Sequence, residues 1–198
     1  FPLCVAIGKK AENIEKYFAS STPDKIDAGH YDLAVKVLSK FPGNEQKIAG
    51  YLQMAIDNDT SKVAKTRYAK QAADVMAKAK MYTEQAKWLQ KYIDYKGALV
   101  EADYYNMCTA YYNAKDYTNT MAFAQKYIAA YPEKSFGYSY NVRAAKALDT
   151  TSNPGIAVEP LLLLNTFLSK DLEKNKTAMV NNYYYIMTYY VDRAKDYK

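Results

Sequence analysis

Apolar and small residues recur along this chain at i, i+3, i+4 and i+7, the spacing that places side chains on one face of an α-helix, and turn-forming residues interrupt the stripe at intervals. The best-formed stretch covers 104–132. Tyr104, Met107, Cys108 and Tyr111 make one stripe, Asn113-Ala114-Lys115-Asp116 breaks it, and Thr120, Phe123, Ala124, Tyr127 and Ile128 make a second, which Tyr131-Pro132 ends. The pattern predicts a helix, a tight turn and a helix. Two helices of this kind cannot bury both apolar faces alone, so the unit needs similar neighbours.

The chain supplies them. Ile7, Ala11, Ile14, Tyr17 and Phe18 predict one helix over 5–19, closed by Ser20-Ser21-Thr22-Pro23. A pair follows, with Tyr31, Ala34, Val35 and Leu38 before a Pro42-Gly43-Asn44 turn and Ile48, Leu52 and Ala55 after it. The next pair carries Ala69, Ala72, Ala73 and Met76, then the turn Ala79-Lys80-Met81-Tyr82, then Ala86, Leu89, Tyr92 and Ile93. At a shift of 35 residues it matches the 104–132 stretch, aligning Gln90-Lys91-Tyr92-Ile93 with Gln125-Lys126-Tyr127-Ile128 and Ala79-Lys80 with Ala114-Lys115. At a shift of 80, Tyr104-Tyr105 matches Tyr184-Tyr185, Met107 matches Met187, and Ala114-Lys115-Asp116-Tyr117 matches Ala194-Lys195-Asp196-Tyr197. Between these copies, Tyr138, Val142, Ala145 and Leu148 predict a first helix and Ala157, Leu161, Leu164 and Leu168 a second. The polar stretch 148–155 separates them, and Pro160 requires the second helix to start close by, near Ile156.

With a period of about 34 residues, the chain resembles the tetratricopeptide repeat (TPR) family. That family's first helix carries an aromatic, an apolar, a small and a second aromatic residue, matched by Tyr104, Met107, Cys108 and Tyr111; its second helix is matched by Thr120, Ala124, Tyr127 and the closing Pro132. Tyr127 stands where the family prefers alanine and Ala124 where it prefers a bulky group, an exchange that conserves volume across one layer. The resemblance implies an all-α fold, a right-handed α-α superhelix (a TPR solenoid) of antiparallel helix pairs, in a single array over 1–198. Its parts would be a half repeat 1–22 (second helix only), repeats 28–61, 62–97 and 101–134, a repeat 135–174 with expanded turns, and a half repeat 175–198 (first helix only). With unpaired helices at both ends, the chain reads as a fragment of a longer array. Tyr184, Met187 and Val191 would then form an uncovered apolar patch capable of end-to-end self-association. A looser resemblance to repeat proteins of bacterial cell envelopes implies a periplasmic or envelope location over a cytoplasmic one.

Composition narrows the chemistry. The 198 residues include 49% hydrophobic ones but no apolar run long enough to span a bilayer, since stretches such as 3–7 and 161–164 are far too short. The formal charge of +6 comes from lysines scattered along helices rather than from a block, which disfavours nucleic acid as a partner. The start FPLCVAIGKK lacks the basic region and cleavage pattern of a complete signal peptide. Cys4 and Cys108 belong to no CxxC pair, and the single histidine, His30, sits at a helix start with no second ligand or catalytic partner. No Gly-rich phosphate loop or GxSxG is present. The expectation is a protein that is not an enzyme and needs no cofactor or metal.

Twenty-two tyrosines are far more than average and point instead to surface recognition. In the family, certain first-helix positions line the concave groove; carried across, they are Arg67, Lys70 and Lys78 (with Asp74), then Tyr105, Thr109, Tyr112 and Asn113, then Ser139, Arg143 and Lys146, then Tyr185 and Tyr189. Such a basic, tyrosine-rich lining suits a protein or peptide partner that is acidic or aromatic. Asp74 stands where the family's carboxylate clamp needs asparagine, so that clamp is not expected. The function expected is a non-enzymatic scaffold binding a peptide or protein in its groove. The alternative is a carbohydrate-binding component of an envelope uptake assembly, because tyrosine faces stack on sugars.

Overall fold

The computed structural model of the protein describes residues 12–13, 16–18, 20–21, 26–150 and 154–193. The helix expected over 5–19 falls largely outside these residues, as do Cys4 and the Ala194-Lys195-Asp196-Tyr197 copy. The regular elements of the described residues are helices, as the apolar spacing predicts. They divide between two compact units, Phe1–Leu99 and Val100–Lys198.

The first unit contains α1 (Ala28–Leu38), α2 (Glu45–Asn58), α3 (Lys62–Lys78) and α4 (Tyr82–Lys96), each packed on the next. Asp27 opens α1 through a capping box, its Oδ1 accepting from the His30 backbone N–H at 3.1 Å. His30 is therefore part of a helix cap, and that backbone hydrogen bond, followed by the one to its ring, holds the Asp27 carboxyl below its ordinary pKa. Ser61 caps α3 in the same way by accepting from Ala64 N. The core joins Val35 and Leu38 to Ile48, Leu52 and Ile56, and Ala69, Ala72, Ala73 and Met76 to Ala86, Trp88 and Leu89. Alanines of zero exposure at Ala69, Ala72 and Ala73 let α3 approach its neighbours closely.

The second unit contains α5 (Glu101–Asn113), α6 (Tyr117–Ala130), α7 (Ser135–Leu148), α8 (Val158–Leu168) and α9 (Leu172–Thr188), the last continued by a π-turn at Tyr189–Arg193. Consecutive helices pack on one another, and α5 also touches α7. Tyr127 is 1% exposed, and its hydroxyl donates to Glu101 Oε1 at 2.9 Å, while Lys134 Nζ lies 3.4 Å from Glu101 Oε2. Tyr104 and Tyr111, placed in the packing layer by the repeat pattern, are only half-buried: Tyr104 stacks on Tyr127 at 5.8 Å and Tyr111 tilts against Phe123 at 5.6 Å. Helix α8 starts at Val158 rather than Ile156, because 154–157 form a turn, and Pro160 falls in its first turn where no N–H is needed. Asp149 pins that expanded connection, accepting from Gly155 N at 3.0 Å and from the Tyr185 hydroxyl at 2.8 Å. On α9 and its π-turn, Tyr184, Met187 and Val191 are 66%, 51% and 41% exposed.

The turns α3–α4 and α5–α6 are copies of one another in geometry as well as in sequence. Lys80 has φ 58° and Lys115 φ 60°, the left-handed region. In both, the residue after the lysine donates five residues back (Met81 N to Met76 O, Asp116 N to Tyr111 O, each 2.9 Å), and the lysine itself donates three back (3.0 Å to Ala77 O and to Tyr112 O). These are Schellman closures with lysine where glycine is favoured. Replacing either lysine by glycine relieves Cβ strain, and each of Lys80→Gly and Lys115→Gly is expected to raise unfolding free energy by about 0.5–1 kcal/mol in urea titrations, whereas alanine at either site gives no gain.

A second stability test concerns Gly137, where α7 crosses α6. A Cβ there would sit 2.9 Å from Ile128 Cγ1 and 3.1 Å from Ile128 N, so the backbones themselves are in near contact. Gly137→Ala is expected to cost about 1–3 kcal/mol by the same titration, despite alanine's better helix propensity.

Candidate functional site

The groove residues expected from the sequence fall in both units. In the first, one face of α3 borders an open groove of about 890 Å³, lined by Lys62, Val63, Thr66, Arg67, Lys70, Gln71, Asp74, Val75 and Lys78, with Tyr92, Tyr95 and Lys96 of α4 and Ser39 completing it. Arg67, Lys70 and Lys78 are thus brought to one cavity. Lys62, Lys96, Tyr92 and Tyr95 were not foreseen as lining; the signal was present, since 92, 95 and 96 share a face near the end of α4 that meets the start of α3. Five cationic side chains face one carboxylate, Asp74, which is already paired with Lys70 one turn away. Arg67 lies 4.8 Å over the Tyr68 ring and Lys96 Nζ 5.2 Å over Tyr92. A concave wall of this kind focuses positive potential and attracts anionic chains.

In the second unit, α5 and α7 meet through three rungs. Tyr105 lies edge-on to Phe136 at 5.1 Å; Thr109 Oγ1 is 2.7 Å from the Tyr140 hydroxyl; and the Arg143 guanidinium lies 4.2 Å over the Tyr112 ring and 5.3 Å from that of Tyr140. Each rung joins residues 31 apart, so the two helices run parallel and in register. The donors of the middle rung can be assigned. Thr109 Oγ1 donates to Tyr105 O at 2.8 Å, which leaves the Tyr140 hydroxyl to donate to Thr109. Burial pushes the Tyr140 phenol pKa up.

The structure therefore brings the expected Tyr105, Thr109, Tyr112 and Arg143 together, and adds Phe136 and Tyr140. Asn113 and Ser139 are exposed on α5 and α7 outside the three rungs. Lys146 Nζ lies 4.6 Å over the Tyr185 ring, where desolvation pushes its ammonium pKa down. Tyr185 and Tyr189 serve packing: the first donates to Asp149, and the ring of the second lies where a side chain on Gly155 would be, 2.4 Å from a Cβ built there.

Among the described residues no group of three or more His, Cys, Asp or Glu side chains is placed to hold a metal, and no helix is long and apolar enough to cross a membrane. Cys108 has zero exposure, and burial pushes its thiol pKa up to about 12. Its reactivity should follow opening of the fold. In a Cys4→Ser background at pH 8, Cys108 is expected to stay unmodified by a disulfide reagent in the native protein and to react at once in urea; rapid native labelling would contradict its burial.

The packing of consecutive helix pairs, the Schellman-closed turns and the small-residue crossings define a tetratricopeptide-type helical repeat fold. A solved structure with this fold, the C-terminal part of a TPR repeat-containing protein from Cytophaga hutchinsonii, is 21% identical to this chain, covering 98% of it and 74% of that chain with a TM-score of 0.55. A more distant likeness is to the TPR2AB domain of yeast Sti1 in its complex with pHSP90, 14% identical over 91% of this chain and 77% of that one, with a TM-score of 0.44. No protein-family model and no curated protein matches the chain.

Proposed function

We propose that the protein is a non-enzymatic scaffold that holds a peptide or protein partner against the exposed faces of its first helices, and that the groove along α3 takes an acidic segment. The observation that carries this reading is the charge of that groove: Lys62, Arg67 and Lys78 line it beside Lys70, which is paired with the carboxylate in the lining, Asp74. An extended acidic chain satisfies these cations by charge-assisted hydrogen bonds while its backbone lies along the helix. Tyr92 and Tyr95 add broad, stiff contact surface at one end, which costs little side-chain entropy. The repeat fold is consistent with such a role, since stacked helix pairs present extended surfaces to a partner.

The test uses the whole chain and a fluorescein-labelled peptide rich in aspartate and glutamate. Binding is expected to weaken steeply with added salt, and Arg67→Ala with Lys78→Ala is expected to reduce affinity by about tenfold or more, roughly 1.4 kcal/mol for each factor of ten. Equal binding by the double variant, or tighter binding of a DNA strand than of the peptide, would remove the reading.

A further inference from the structure

We infer that the three rungs between α5 and α7 form a two-point reader for a short motif: an aromatic or bulky apolar side chain at one end and a carboxylate three residues along the bound chain at the other. This rests on the scaffold reading above and assigns a ligand to the second unit.

Arg143 supplies the first point. Its guanidinium carbon lies 4.2 Å over the Tyr112 ring and 5.3 Å from that of Tyr140, so two ring faces restrain the group on an exposed side chain. Among the described residues no carboxylate is paired with Arg143; its recorded partners are the rings of Tyr112 and Tyr140. A guanidinium restrained over these rings and without a carboxylate partner offers the paired donors that the fork of a carboxylate accepts. The stacking removes the freedom that a surface arginine would otherwise lose on binding.

Tyr105 and Phe136 supply the second point. They are 38% and 50% exposed and meet edge to face, an exposed aromatic corner on which a further apolar side chain can pack. Between the two points, the hydroxyl protons of Tyr140 and Thr109 are both committed, one to the other side chain and one to the Tyr105 carbonyl. The middle rung therefore presents oxygen lone pairs and disfavours an acidic residue there. Phe136 and Arg143 are seven residues apart on α7, about 10 Å along the axis at 1.5 Å per residue. An extended peptide covers that span in about three residues at roughly 3.3 Å each.

The experiment titrates the whole chain, followed by amide chemical shifts, with blocked peptides that carry phenylalanine and glutamate separated by none to four serines. Affinity is expected to peak with two serines between them and to fall several-fold at either extreme. Glutamine in place of glutamate is expected to weaken the best peptide about tenfold, the scale of a charge-assisted bidentate contact. Arg143→Gln should abolish the spacing preference, and Arg143→Lys should recover little of it because an ammonium does not stack as a plane. Circular dichroism of both variants checks that they remain folded. A flat spacing profile, or an unchanged peak in a folded Arg143→Gln variant, overturns the reader. If the same peptides then lose binding on Arg67→Ala with Lys78→Ala, the scaffold reading stands without it. A phosphoserine peptide that binds more tightly than the glutamate one overturns the carboxylate assignment in favour of phosphate, and no binding by any peptide overturns both readings.

Discussion

The distance at which helices can approach one another governs the rest of this structure. Where they cross, the side chains are alanine, cysteine or glycine: Ala69, Ala72 and Ala73 on α3, Cys108 and Ala110 on α5, Ala124 on α6 against Gly137 on α7, and Ala144 and Ala145 behind it. Close backbones leave little rotational play about each helix axis, since interiors are packed to crystal density. Once the small face of a first helix is turned inward, the residues one step round must turn outward. Arg67, Lys70 and Lys78 border a groove for that reason, and Tyr105, Thr109 and Tyr112 come to face α7. The candidate ligand surfaces are by-products of how the core closes.

The abundance of tyrosine takes two physical forms. Some rings are buried with their hydroxyls satisfied, as in Tyr127 with Glu101 and Tyr138 with the Pro132 carbonyl. Others give cations a place to rest. Arg143 on Tyr112, Lys146 on Tyr185 and Lys96 on Tyr92 all lie within 5.2 Å of ring centroids, as do Lys91 on Trp88 and Lys170 on Phe167. Part of the positive charge is thus held over aromatic faces, an arrangement less sensitive to salt than surface ion pairs.

Much of this was legible in the chain. The helical stripes located the pairs, and the 35-residue match of Ala79-Lys80 to Ala114-Lys115 anticipated two turns with the same hydrogen bonds. What remained hidden was which outward residues meet across helices. Phe136 and Tyr140 carry no local signal, because their importance comes from a 31-residue offset that depends on crossing geometry and not on the repeat period. Tyr185 and Tyr189 illustrate the reverse: register placed them toward a ligand, but the expanded turn at 149–155 brought Asp149 and Gly155 to meet them. Tyr111 is half-buried because its ring packs on one partner, Phe123, instead of being enclosed. Periodicity reports the face a side chain occupies, whereas enclosure depends on the neighbour's volume.

The left-handed lysines have a consequence for how this chain can change over time. A lysine codon is one base from asparagine, the residue after glycine best suited to that conformation, and two bases from glycine. Each of the two turns therefore keeps a stabilising change within reach of a single nucleotide. A mutation that alters a groove at some cost to the fold has two nearby places, far from the altered surface in chemistry, where the loss can be made good.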